Sequence, residues 1–153
     1  MQGFHLEIDP KIATKLQDLL HSLVMESDCA PLSINEWETD EEFKSFWHES
    51  QKEHTHTNLK IFEDTFLQAS FTQGKLILKD KDLEALLKSI SYLRLRIQEL
   101  KLQTIEELEL EKGNIDLKSL DNTTQQYLWC YSMLAQIQEL TLQLEINKGG
   151  SNA

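Results

Sequence analysis

The chain has 153 residues, of which 40% are hydrophobic and 27% charged, with 26 Asp and Glu against 15 Lys and Arg and a formal net charge of -11. That length and apolar content suit one folded domain with a proper core, and argue against a disordered chain. The acidic balance disfavours non-specific binding to nucleic acid or anionic membrane, both of which depend on Lys and Arg meeting phosphate.

Five Gly and two Pro leave few breakers, so the apolar spacing favours helix along most of the chain. Phe4, Leu6 and Ile8 alternate with polar residues and suit a short strand. Asp9-Pro10 then supplies a cap and a proline at the first helical position, and Ile12, Leu16, Leu19, Leu20, Leu23 and Val24 form one stripe, which predicts a helix over 10–26. Residues 27–38, with Pro31, read as a loop anchored by Leu32, Ile34 and Trp37. Thr39-Asp40-Glu41-Glu42 has the spacing of a capping box and starts a second helix. The region 40–71 is one helix or two, with a break near Thr57-Asn58 favoured.

Gln73-Gly74 marks a helix stop, and Leu76-Ile77-Leu78 an extended segment able to pair with residues 4–8. Asp80 is the expected cap of the next helix. Leu83, Leu86, Leu87, Ile90, Leu93, Ile97 and Leu100 keep three-and-four spacing, and the helix is expected from 81 to about 111, stopped by Gly113. Asp121-Asn122-Thr123 begins the last helix, which is apolar round much of its circumference and so is expected to be central, ending at Lys148-Gly149-Gly150 before a frayed tail. The predicted fold is mainly α: a single helical domain over 1–148 forming a four- or five-helix bundle, with a minor two-stranded ribbon from residues 4–8 and 75–79, and a flexible tail at 149–153.

His48, His54 and His56 cluster with Glu53, which invites a metal. Glu53 and His56 have the Glu-x-x-His spacing of di-iron bundles, yet the second copy of the motif and two further carboxylates are missing. His54 and His56 lie two residues apart, about 200° round a helix. No Gly-rich phosphate loop, GxSxG elbow or HExxH motif occurs, so no catalytic residue can be nominated and no cofactor is implied. Cys29 and Cys130 stand alone and read as buried thiols of a reducing compartment. With no basic-then-apolar start and no long apolar run, a cytoplasmic location is expected.

Charge is the more informative signal. Residues 26–64 hold 11 acidic residues and three Lys, most of the chain's negative charge. Such a surface either keeps the protein soluble or steers a basic partner, with Glu41 and Glu42 as charges and Phe43, Phe46 or Trp47 as apolar anchors. Those aromatics are expected mainly in the core. Arg94 and Arg96, the only arginines, flank Leu95 on the strongest helix, so a carboxylate from the acidic segment or from the first helix is expected to meet Arg94.

The run Asp40-Glu41-Glu42-Phe43-Lys44, the helix Asp82-Leu83-Glu84-Ala85-Leu86-Leu87-Lys88-Ser89-Ile90-Ser91-Tyr92-Leu93-Arg94-Leu95, and Tyr127-Leu128-Trp129 followed by a Leu-rich helix with Gln138 together resemble the bacterial family catalogued as domain of unknown function 2017. Ser91-Tyr92 stands where that family has Asn-Asp, and the Gly-rich continuation after Arg-Leu is absent. The resemblance implies an all-helical cytosolic protein without known activity, often encoded near the adaptor of the Clp protease, with Arg94 as the shared polar position. The expected function is thus a non-catalytic protein-interaction or regulatory module, compatible with a homodimer through the helix at 81–111. The alternatives are a helical metal-binding protein using the His48, Glu53 and His56 region, an acidic secretion-chaperone-like protein, for which the strands are too few, and a nucleic-acid mimic.

Overall fold

The computed structural model describes residues 3–26, 41–105, 109–110 and 115–150, and within these leaves out the side chains of 43, 44, 48 and 148–150. Strand β1 (Gly3–Glu7) leads into α1 (Pro10–Glu26). After the acidic segment come α2 (Glu41–Phe66), a one-turn helix α3 (Ala69–Thr72), strand β2 (Lys75–Lys79), a 3₁₀ turn (Asp80–Asp82) and α4 (Leu83–Lys101). A second 3₁₀ turn (Leu117–Ser119) precedes α5 (Asn122–Gly150). The fold is a mainly α bundle with a minor ribbon, as the apolar spacing predicts.

Helix α1 has the expected bounds because its start is chemically defined. The Asp9 carboxylate accepts from the Lys11 backbone N–H at 2.8 Å, and Pro10 gives up only an N–H that the first turn leaves unpaired. Its stripe of Ala13, Leu16, Leu19, Leu20, Leu23 and Val24 is buried against α3, α4 and α5. The two strands pair antiparallel, with Phe4 opposite Leu78 and Leu6 opposite Leu76. Leu76 and Leu78 are buried while Lys75, Ile77 and Lys79 face outward, so the helices cover one face of a ribbon that alone would be marginal.

Gly74 joins α3 to β2 at φ +91°. Its N–H donates to the Phe71 carbonyl and its own carbonyl accepts from the Ile8 N–H, both at 2.9 Å. The same turn therefore ends a helix and ties off the chain leaving β1.

Helix α2 does not break at Thr57-Asn58. The Thr57 hydroxyl donates to the Glu53 carbonyl of its own helix at 3.0 Å, and no Gly or Pro interrupts 41–66, so nothing competes with the helical ladder. The break lies instead at Leu67-Gln68, where the Gln17 side-chain amide of α1 donates to the carbonyls of Phe66 (2.9 Å) and Gln68 (3.0 Å). Phe62 stacks on Phe66 with ring centroids 4.6 Å apart, and Phe66 meets Phe71 edge-on at 5.5 Å. The capping box at Thr39-Asp40 and the loop expected over 27–38 fall largely outside the described residues.

Three expectations about the later helices need correction. Helix α4 ends at Lys101 and does not continue to 111. The Leu102 N–H reaches back five residues to the Ile97 carbonyl, and the Ile105 N–H only three, to Leu102, which marks a turn. Leu102 and Ile105 are buried all the same, so the apolar spacing continues where the helix does not. The central helix is α4 rather than the last one: it packs against α2 on one side and α5 on the other, and also touches α1. It buries Leu83, Leu86, Ser89, Ile90, Tyr92, Leu93 and Ile97. Helix α5 is 29 residues long and runs through Gly149 and Gly150, which were expected in the tail, and beyond its buried Ile137 it exposes Leu140, Leu142 and Ile146.

Candidate functional site

The N-terminal half of α2 is where the acidic charge takes a definite shape. Glu42, Phe46, Glu49 and Glu53 follow four-, three- and four-residue steps, which places them on one face of the helix. All four are exposed, and Phe46 has 73% of its surface in solvent, so it is not a core residue as expected. A hydrophobic side chain this open, with Glu42 and Glu49 one turn to either side, is not explained by core packing. Glu41 is exposed beside them; the Phe43 side chain lies outside the described residues.

Trp47, one residue on from Phe46, is half-buried and lines a groove of about 740 Å³ between α2 and α4. His54, Asn58, Lys88, Ser89 and Tyr92 contribute to its walls. The Ser89 hydroxyl is almost wholly buried, and among the described residues it has no hydrogen-bond partner. The groove thus joins an aromatic wall to the acidic stripe along the same helix.

Of the metal candidates, Glu53, His54 and His56 are all exposed, and His54 also lines the groove. Among the described residues, no group of three or more His, Cys, Asp and Glu comes together in a metal-ligating arrangement. The His48 side chain lies outside them.

The arginines are partnered differently from the expectation. Arg94 Nη1 donates to Oε1 of Gln138 on α5 at 2.6 Å, and its guanidinium lies 4.5 Å from the centroid of the Tyr131 ring. Gln138 in turn donates to the Ser91 hydroxyl, so one amide links two positions of α4 to α5. No described carboxylate meets Arg94; a side-chain amide and a π face do that work, neither of which spacing along the sequence specifies. The carboxylate goes to Arg96 instead, from Glu99 of its own helix at 3.2 Å, while Arg96 Nε donates to the Tyr92 hydroxyl at 3.0 Å. The first helix does send a carboxylate to α4, Glu26, but it reaches Lys101 at 3.2 Å. Lys101 also lies 5.0 Å from the centroid of the Tyr127 ring. Burial pushes the Tyr127 hydroxyl above its ordinary pKa, with Lys101 pulling the other way.

Cys130 is buried, and burial pushes its thiol up to about 12, far from a reactive thiolate. Cys29 lies outside the described residues. The dimer face expected on the 81–111 helix is largely taken up inside the bundle, since α4 leaves only Leu95 and Leu100 as strongly exposed apolar residues. Three features had been missed in the sequence: the exposure of Phe46, the role of Gln138, and a second groove beside Arg94. Only the first had a usable signal, the stepwise repeat of glutamates around a phenylalanine.

Comparison of the chain with protein-family models, with curated proteins and with solved structures gives no match.

Proposed function

We propose that this chain is a non-catalytic, cytosolic protein-interaction module that regulates a partner by docking a basic amphipathic segment on α2. The observation that carries this reading is Phe46, 73% exposed on the same helix face as Glu42, Glu49 and Glu53. A basic segment would pair its Lys and Arg with those carboxylates, which chiefly speeds and orients the encounter. Its apolar side chains would cover Phe46 and enter the groove beside Trp47, where most of the binding energy of such an interface is concentrated. A role in regulation also fits the resemblance to domain of unknown function 2017.

The test is titration of the isotope-labelled protein with a Lys/Leu amphipathic helical peptide, followed residue by residue by NMR. Shifts should concentrate on residues 42–53 and the Trp47 indole, and should weaken in about 0.5 M salt, where exposed charges are screened within roughly 4 Å. Phe46→Ser and the pair Glu49→Lys with Glu53→Lys should each reduce binding by about tenfold or more, at unchanged stability. Shifts spread over the surface, or binding indifferent to both variants, would remove the proposal. Affinity capture at low and high salt would then identify the natural partner.

A further inference from the structure

A second groove, between α4 and α5, has a different chemistry. It lies between α4, α5 and the segment leading into α5, measures about 730 Å³, and is walled by Leu110, Ile115, Leu117, Leu128, Trp129 and Tyr131. Arg94 is the one charged residue among the described residues that line it. The volume and the mostly apolar lining with a single charged anchor are those of a small-molecule site.

The state of the Arg94 guanidinium is what points to a ligand. Nη1 is satisfied by Gln138 and the plane by Tyr131, but Nε is buried with no hydrogen-bond partner, and no described carboxylate approaches. Arginine cannot shed its proton to escape burial. Among the described residues this half-buried cation has no counter-ion, which is costly, and the contact with Tyr131 offsets only part of that cost. In a chain with 26 acidic residues against 15 basic, carboxylates are plentiful, yet this guanidinium is left facing an apolar groove. Ser132 lines the same groove and offers a hydroxyl as a second donor.

We infer that the groove between α4 and α5 binds a small amphipathic monocarboxylate, with its carboxylate on Arg94 and its aliphatic or aryl-alkyl body along Ile115, Leu117, Leu128 and Trp129. The carboxylate supplies the counter-ion for the guanidinium. The body covers apolar surface that α5 presents at this point, and Gln125 holds the far wall in place by donating to the carbonyls of Leu117 (2.8 Å) and Leu120 (2.9 Å). This site is independent of the α2 stripe, so either assignment can fail without the other.

The test compares octanoate with its neutral isostere octanamide on the intact protein, by calorimetry and by the NMR shift of the Trp129 indole. Octanoate should bind about tenfold or more tightly than octanamide, because the amide carries no charge to pair with the guanidinium and offers one acceptor oxygen in place of two. Arg94→Met should abolish that preference. Ser132→Trp, which fills the groove from α5 off the helix face that carries Tyr131 and Gln138, should block both ligands and keeps the test decisive if Arg94→Met does not fold. Equal binding of the two ligands, binding of neither, a preference that survives Arg94→Met, or octanoate binding that survives Ser132→Trp would each overturn the assignment.

Discussion

Replacing Gly74 by alanine is expected to destabilise the protein by about 3 kcal/mol, from three causes that act at one atom. Gly74 sits at φ +91°, where an L side chain costs about 1–2 kcal/mol. An added Cβ would lie 2.5 Å from the Ile8 carbonyl oxygen and 3.3 Å from Cγ of Pro10. The oxygen cannot retreat freely, because the Ile8 N–H is bonded to the Gly74 carbonyl and Asp9-Pro10 is fixed by the start of α1. Moving it sacrifices that hydrogen bond, worth about 1 kcal/mol. For a chain of this size the total corresponds to a fall in Tm of roughly 6–12 °C. Urea unfolding followed by far-UV circular dichroism should show a lower midpoint with an unchanged slope. Gly74→Asn separates the causes: asparagine tolerates positive φ but keeps the Cβ, so it should recover at most the about 1–2 kcal/mol due to φ and none of the cost of the clash. A cost below about 1 kcal/mol for alanine would refute the reasoning, since the β1–α1 corner would then move aside cheaply.

Two further outcomes follow from groups whose ionisation the fold perturbs. Cys130, in a Cys29→Ser background, should resist a thiol-specific disulfide reagent at pH 8 in the native state and react fully in urea. Its thiol holds its proton to about 12 in the folded protein against an ordinary 9.0, so its contribution to stability is full below pH 9 and is lost as pH rises toward 12; an unfolding midpoint independent of pH across that interval would contradict this. Asp121 accepts from the Thr124 backbone N–H at 2.7 Å, and hydrogen bonds from that N–H and the Thr124 hydroxyl hold its carboxyl below the usual value. The stabilisation is present above the ordinary carboxylate pKa and lost as pH falls through the lowered one, so Asp121→Ala should flatten the acid limb of the stability profile and Asp121→Asn should retain much of the stability at neutral pH. Equal melting of both variants with the parent would show that this cap contributes nothing.

The bounds of α1 and the pairing of residues 3–7 with 75–79 were legible because local chemistry marks them: Asp9-Pro10 can only open a helix, and Gly74 only a turn. The end of α4 was not legible. Leu102 and Ile105 continue the apolar spacing because they are buried, and burial in a turn leaves the same trace as burial in a helix. The continuity of α2 was misjudged for the converse reason, since the polar run from His48 to Asn58 reflects an exposed helix and not a broken one. At the candidate sites, the sequence located the acidic surface but the general burial of phenylalanine assigned Phe46 to the core, although its steps of four from Glu42 and three to Glu49 place it on a charged face. The partner of Arg94 was out of reach: Gln138 is 44 residues away, and an amide carries no charge pattern to find it by.

The packing of α1 carries a consequence for synthesis. Its buried stripe rests on α3, α4 and α5, and β1 pairs with β2, all of which follow it in the chain by 40 residues or more. As the chain leaves the ribosome, the leucines of α1 must wait uncovered until residues 69–79 have emerged, and their last contacts form only with α5. A nascent chain stalled before that point would present six apolar side chains on one helix, which is the surface that general chaperones capture. Late closure of this kind makes the C-terminal helix the step that commits the N-terminus to the native state.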